Sequence, residues 1–253
     1  MRRFRRPAIF VLALFVAAAA AQERGPRTAE EFNDRGIVRK AKGDLDGAIA
    51  DYDRAISLNP TYALAYYNRG NVRRERGELD EAVADYTKAI ALNPSDARAY
   101  NNRGSAHAGR GDREGALADY ARAVELNPAY ADAYNNRGSV LFGKGDADGA
   151  LADYTKAIAL DPDFALAYFN RGLARHAEGD DDGAVADFTK AVALSPTYAN
   201  AHAGLGLALM SKGKDGEAER EFKKAFGLDP GLKPKIEKWA EEIRRKRNAA
   251  PKP

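Results

Sequence analysis

The chain has 253 residues, with 40 basic and 37 acidic side chains and no cysteine, and its formal net charge is +3. Four arginines near the amino terminus and eight basic residues from Gly231 onward account for the excess, so residues 22–230 carry a net charge of about −6. This acidic body argues against a nucleic-acid-binding module, which would display a basic face there. The lack of cysteine leaves no disulfide to stabilise the fold, and nothing to lipidate near the amino terminus.

Residues 1–21 have the composition and order of a secretory signal peptide. Arginines precede an uncharged run over residues 8–21, and small residues come just before Gln22. The run of 14 residues is too short to span a bilayer comfortably as a helix. We expect cleavage before Gln22, with an uncleaved anchor as the alternative, and a short disordered lead-in over residues 22–28. The composition favours a bacterial protein with a periplasmic or secreted location.

The rest of the chain is dominated by a repeat. Prolines recur at intervals of 34 residues, at Pro60, Pro94, Pro128, Pro162, Pro196 and Pro230. Apolar residues follow a helical period twice within each interval, and glycine followed by an acidic residue, as at Gly77 and Glu78, separates the two stretches. A fixed period of this length indicates stacked helical hairpins rather than one closed core.

Two columns of small residues predict how each hairpin closes. Glycine recurs within the first helices, where it costs roughly 1 kcal/mol relative to alanine: Gly36, Gly70, Gly104, Gly138, Gly172 and Gly206. Alanine recurs in the second helices, at Ala48, Ala82, Ala116, Ala150, Ala184 and Ala218. We expect these two columns to face each other and to let the two backbones cross closely.

The hairpins resemble the tetratricopeptide repeat family. Its pattern of aromatic, small residue, Ala, aromatic, Ala and Pro is met by Tyr66, Gly70, Ala82, Tyr86, Ala89 and Pro94, and again in the other units. The resemblance covers residues 29–232 as six units: 29–62, 63–96, 97–130, 131–164, 165–198 and 199–232. It implies an all-α fold, a right-handed α-solenoid of antiparallel helix pairs, whose first helices line a concave groove for a peptide or a partner protein.

The units depart from the common family pattern just before the glycine. Arginine stands there in five units, at Arg35, Arg69, Arg103, Arg137 and Arg171, and each of these units carries an aspartate in its second helix. We interpret the two residues as a structural ion pair with the arginine stem packed on apolar surface. The alternative is a row of basic groove residues for an acidic ligand.

Residues 233–248 are predicted to form one further helix, followed by a tail over residues 249–253. Ile236, Trp239, Ala240 and Ile243 fall at helical spacing, so we expect this helix to cover the open end of the stack with Trp239 in the core. The basic residues 244–247 are interpreted as a solvated tail, with contact to anionic lipid as the less favoured reading.

The sequence gives no sign of catalysis or of a cofactor. His107, His176 and His202 lie in different units, and no two of them have metal-ligand spacing. We expect His202, which replaces a packing aromatic, to lie in the core. The chain is therefore expected to be no enzyme, with neither a metal site nor a cofactor site.

Asparagines form the candidate binding site, since Asn is a poor residue for a helix interior and its repeated use there needs a reason. In relatives that bind extended peptides, such a column in the first helices hydrogen-bonds the ligand backbone; inheritance by repeat duplication is the alternative. Neighbouring residues would add selectivity, together with Leu166, Leu173 and Asp132. The peptide-binding candidates are Tyr67, Asn68, Asn71, Arg74, Arg98, Asn101, Asn102, Asn135, Asn136, Phe142, Phe169 and Asn170.

The family's clamp for a carboxyl terminus is only partly matched. Asn68 and Arg98 fit it, but Asn33, Ile37 and Asn102 occupy its remaining places, so we do not expect that function. We predict an exported, non-catalytic scaffold that binds a protein or an extended peptide in the groove. The alternative is a structural or oligomeric assembly factor of the cell envelope that uses its convex face or the stack ends. Membrane contact is expected only through an uncleaved signal segment or the basic tail.

Overall fold

The computed structural model describes residues 25–249, so the predicted signal peptide, residues 22–24 of the lead-in and residues 250–253 of the tail lie outside the described residues. Within this range the chain forms thirteen α-helices, one short 3-10 helix and no strand, which confirms the all-α class. The helices are α1 (Ala29–Ala41), α2 (Leu45–Leu58), α3 (Ala63–Glu75), α4 (Leu79–Leu92), α5 (Ala97–Gly109), α6 (Arg113–Leu126), α7 (Ala131–Gly143), α8 (Ala147–Leu160), α9 (Ala165–Ala177), α10 (Asp181–Leu194), α11 (Ala199–Ser211), α12 (Asp215–Leu228) and α13 (Lys233–Ala249).

The chain divides into two compact units, one that ends at Pro94 and one that begins at Ser95. The first unit contains α1 to α4 and the second contains α5 to α13. Consecutive helices pair as α1 with α2, α3 with α4, and so on to α11 with α12. In the second unit each second helix also packs on the next first helix, as α6 does on α7 and α8 on α9. Each unit is thus a stack of antiparallel hairpins.

Local sequence signals set the ends of these helices. Gly111, in the turn between α5 and α6, has φ +81°, a left-handed conformation that ends a helix at little cost for glycine. The side chain of Asp112 then accepts a hydrogen bond from the backbone N–H of Gly115 at 2.9 Å and caps α6. Equivalent glycines occur at Gly43, Gly77, Gly145, Gly179 and Gly213.

Each glycine of the first-helix column lies against an aromatic ring of the second helix. An added Cβ at Gly138 would lie 2.9 Å from Cε1 of Tyr154 in the second helix of the same hairpin. Gly36, Gly70, Gly104, Gly172 and Gly206 face Tyr52, Tyr86, Tyr120, Phe188 and Phe222 in the same way. The buried ring occupies the space where a Cβ would lie, so only a glycine leaves room for it. The alanines of the second-helix column are fully buried as well, and their close approach to these glycines stays a prediction.

The C-terminal helix α13 packs on α11 of the last hairpin. Ile236 and Ala240 are buried, and Nη1 of Arg247 donates to the carbonyl oxygen of Met210 at 2.9 Å, which fixes the rotation of the helix. Trp239 is 40% exposed, so its predicted core position is wrong. It precedes Ala240 by one residue and therefore points about 100° away from the buried stripe. Within residues 25–249, no helix is long and apolar enough to cross a membrane.

Candidate functional site

Each arginine before the glycine is paired within its own hairpin. Nε and Nη2 of Arg137 donate to the two carboxylate oxygens of Asp153 at 2.8 and 2.7 Å, and the guanidinium lies 5.5 Å from the ring centre of Tyr134. The bidentate bond to Asp153 raises the pKa of Arg137, against the opposing effect of burial. Arg35, Arg69, Arg103 and Arg171 are bound to Asp51, Asp85, Asp119 and Asp187 in the same way.

These contacts confirm the structural ion pairs and contradict a row of basic groove residues. The five aspartates are 2 to 5% exposed, so their carboxylates depend on these partners. A second cation reaches Asp187 from Arg175 at 2.8 Å, four residues after Arg171. Leu141 holds the corresponding place in the fourth hairpin, and Arg137 is the one cation paired with Asp153 among the described residues.

In the last hairpin, a histidine and a glutamate take the place of the arginine–aspartate pair. His202 is 3% exposed, which confirms its predicted core position, and its Nδ1 lies 2.6 Å from Oε2 of Glu221. Its Nε2 lies 3.0 Å from the carbonyl oxygen of Pro196, which can only accept a hydrogen bond. Burial raises the pKa of Glu221, but hydrogen bonds from Lys224 and His202 outweigh it and hold the pKa below its usual value. Both ring nitrogens of His202 thus lie within hydrogen-bond distance of an oxygen atom.

The asparagines form two rows with different surroundings. Asn33, Asn101 and Asn135 are buried, with 0, 5 and 2% exposure. Half-buried asparagines one repeat later donate to their amide oxygens: Nδ2 of Asn136 to Asn101 at 3.1 Å, and Nδ2 of Asn170 to Asn135 at 2.9 Å. In the first unit, Nδ2 of Asn68 donates to Asn33 at 2.8 Å. The rows therefore bond successive first helices to each other.

This arrangement separates the predicted asparagines by exposure. Asn101 and Asn135 are buried and accept hydrogen bonds from Asn136 and Asn170, so they support the surface row. On the surface, Asn136 and Asn170 use their Nδ2 groups internally, while their Oδ1 atoms accept from no other group among the described residues. The surface row is thus a row of hydrogen-bond acceptors. Asn102 belongs to the same row, and its Oδ1 accepts from Nδ2 of Asn101 at 3.2 Å.

Apolar residues flank the acceptor row in the second unit. Leu166 and Leu173, one turn before and after Asn170 on α9, are 41% and 36% exposed. Phe169 is half-buried and packs on Tyr198 and Phe188, with ring centres 4.9 and 5.8 Å away. Phe142 is also half-buried and packs beside Tyr154. Leu166 and Leu173 therefore present the larger exposed apolar surface.

The remaining candidate binding residues lie partly in the first unit and partly in the second. In the first unit, Asn71 accepts from the Tyr86 hydroxyl at 2.8 Å, and the Tyr67 ring lies 6.0 Å from that of Tyr86. Burial raises the pKa of Tyr86 to about 12, against an opposing hydrogen bond with Arg74. In the second unit, Arg98 is exposed and bonds to Asp96 at the start of α5. The twelve candidates thus form two sets, one in each unit.

The described residues offer no arrangement suited to metal chemistry. Among residues 25–249, no three His, Asp or Glu side chains come together in a group that could hold a metal ion. His107 and His176 each lie beside a carboxylate at a hairpin turn, of Asp112 and Asp181 respectively. These pairs link the first helix to the start of the second helix in the same hairpin.

Comparisons with known proteins agree with this geometry. A family model described as "TPR repeat" matches residues 36–73, 70–111, 109–145, 138–179 and 172–213, and one described as "Tetratricopeptide repeat" matches residues 199–232. A search of curated proteins gives no significant match.

Several solved structures resemble the chain. The protein in the crystal structure of MamA shares 33% sequence identity with this chain, with a TM-score of 0.59. The match covers 64% of this chain and 94% of the MamA chain. YrrB, described as a TPR protein with an unusual peptide-binding site, is 25% identical, with a TM-score of 0.60 and coverages of 77% and 97%. The pilF protein of Pseudomonas aeruginosa, at 19% identity, has a TM-score of 0.74 and coverages of 86% and 97% and shares the fold. The chain therefore belongs to the tetratricopeptide repeat family.

Proposed function

We propose that the chain is an exported scaffold, without catalytic activity of its own, that binds an extended peptide or protein segment on the first helices of its second unit. The acceptor row of Asn136 and Asn170 carries this proposal. Both residues are half-buried and their Oδ1 atoms accept no hydrogen bond within the described residues, so these oxygens are available to backbone N–H groups of a ligand. Backbone N–H groups occur in every peptide except at proline, so this contact gives affinity without fixing the sequence.

Selectivity comes from the apolar residues beside the row. Leu166 and Leu173 flank Asn170 on α9, so a bound chain would bring alternate side chains against exposed apolar surface. Peptide binding is named for one of the similar structures, YrrB, and the two chains share 25% identity. The export part of the proposal rests on the amino-terminal sequence of residues 1–21.

Site-specific photo-crosslinking tests which surface binds. A photoreactive residue is placed at Phe142, on the first-helix side, or at Lys156, an exposed position of α8. Both proteins are incubated with envelope extract of the source organism, and crosslinked partners are identified by mass spectrometry. We expect partners from position 142 and none from position 156. The reverse result would favour the alternative, an assembly factor that uses its second helices or stack ends.

The role of the amide oxygen is tested with the partner so found. The single variant Asn135→Leu removes the buried acceptor but keeps Asn170 at the surface. The double variant Asn135→Leu with Asn170→Leu removes both amides, so no buried amide is left without its partner. We expect the single variant to bind its peptide nearly as tightly as the parent and the double variant to bind about tenfold more weakly. Equal affinities for all three folded proteins would contradict the acceptor role.

A further inference from the structure

The outer face of α13 is held in a defined orientation. Its inner residues Ile236 and Ala240 are buried, and both terminal nitrogens of Arg247 bond to Asp215 at 2.7 Å. Because the inner side is fixed in this way, the residues on the opposite side of the helix must point to solvent. The residues of this side, which we call the basic face, are the exposed Lys235, Lys238, Trp239, Arg245 and Lys246 and the half-buried Glu242.

The cations of the basic face differ from those of the hairpins. The repeat arginines are bound to buried carboxylates, as Arg137 is to Asp153. In contrast, within residues 25–249 no carboxylate lies within 4 Å of the charged groups of Lys238, Arg245 or Lys246, all three of which are exposed. Glu237 and Glu241 lie on another side of the helix, toward Lys233 and Arg244. The basic face thus contains four cations and one acidic residue.

An aromatic residue completes the basic face. Trp239 is the only tryptophan of the chain and is 40% exposed, and Nζ of Lys235 lies 4.5 Å from its ring centre. Tryptophan prefers the water–lipid boundary, where its ring is sheltered and its N–H stays hydrated. Unpaired lysines and arginines beside it would meet the headgroups of anionic lipids.

We propose that the basic face of α13 binds the surface of a membrane that contains anionic lipid, with Trp239 at the level of the headgroups. The charge distribution supports this occupant, because residues 22–230 carry a net charge of about −6 while the chain from Gly231 onward is basic. An anionic surface would attract the carboxyl-terminal end and repel the body, and so orient the protein. This inference goes beyond the proposed peptide binding and does not depend on it.

The single tryptophan makes a direct test possible. The protein used begins at Gln22, which keeps every described residue and removes the apolar run of residues 8–21. It is mixed with vesicles of phosphatidylcholine alone or of phosphatidylcholine with phosphatidylglycerol. We expect co-sedimentation and a blue shift of the Trp239 emission only with phosphatidylglycerol present, and both should weaken as salt is raised.

Two charge-matched variants locate the contact. Lys238→Gln, Arg245→Gln and Lys246→Gln together remove three unpaired cations of the basic face, and we expect about fivefold weaker binding for each charge removed. The control variant has the same change in net charge at exposed positions of the repeats, with Lys42→Gln, Lys88→Gln and Lys156→Gln together. We expect it to bind the vesicles as tightly as the parent does. Equal binding to both kinds of vesicle, or equal loss in both variants, would overturn the proposal. So would retention on an acidic polypeptide without any binding to phosphatidylglycerol vesicles.

Discussion

Asn170 donates from Nδ2 to Oδ1 of the buried Asn135 at 2.9 Å and so joins two successive first helices of the second unit. The bond gives the asparagine rows a structural role in addition to the proposed binding role. When a buried amide oxygen loses its donor, the free-energy cost of removing that oxygen from water is no longer offset by a hydrogen bond. The same side chains therefore stabilise the stack and present acceptors at its surface.

The first prediction concerns Asn170→Ala. Alanine is the better helix former, but the change leaves the buried oxygen of Asn135 without this donor. We expect a net loss of about 1–2 kcal/mol in the free energy of unfolding, measured by urea titration followed by circular dichroism. Asn200→Ala is the control, since Asn200 is exposed in the first turn of α11 and its replacement should be neutral or slightly stabilising. Equal effects of the two changes would refute the structural role.

A second prediction compares two arginines. Asp153 depends on Arg137, whereas Asp187 has both Arg171 and Arg175. We expect Arg137→Leu to lower the free energy of unfolding by about 3 kcal/mol, the cost of leaving a buried carboxylate unpaired. Arg171→Leu should cost about 1.5 kcal/mol, because one charged partner remains.

The matching double variant provides the check on that mechanism. Arg137→Leu combined with Asp153→Leu removes the buried charge along with its partner, so much of the lost stability should return in the same urea titration. If the double variant is no more stable than Arg137→Leu alone, packing of the arginine stem rather than the ion pair accounts for the effect.

A third prediction concerns two glycines. An added methyl group at Gly138 would lie 2.9 Å from the ring of the buried Tyr154, whose hydroxyl donates to Oγ of Ser139 at 3.3 Å. Because the ring cannot move aside freely, we expect Gly138→Ala to destabilise by about 1–3 kcal/mol. Gly227 has no atom within 4 Å of an added Cβ, so Gly227→Ala should stabilise by about 0.5–1 kcal/mol. Thermal melts of both variants check the opposite signs.

The fourth prediction is a pH dependence at Glu221. Hydrogen bonds from Lys224 and His202 hold its pKa in the folded protein below the usual value. Its contribution to stability is therefore present above the pKa of the unfolded chain and is lost as pH falls through the lower pKa of the folded state. Urea midpoints of the parent and of Glu221→Gln should differ at neutral pH, and the difference should narrow as the pH falls below the usual glutamate pKa of about 4.3. Glu81→Gln, at an exposed position, serves as control. The difference between its urea midpoint and that of the parent should change less with pH.

The repeat, the class of fold and the helix ends can be predicted from the amino-acid sequence alone. These follow from local chemistry: a glycine in the left-handed conformation after α5 ends that helix, and Asp112 caps the next one. The pairing of Arg137 with Asp153 was also predictable, because both residues recur with the repeat and have opposite charge.

The face of each helix that is buried depends on how the hairpins pack against one another. Asn135 and Asn136 are adjacent in sequence, yet one is buried and the other lies at the surface, since neighbouring residues point about 100° apart around a helix. In the same way, the fixed rotation of α13 exposes Trp239 while it buries Ala240. Burial depends on the neighbouring hairpin and not on the residue type, so an apolar or polar pattern alone could not assign these positions.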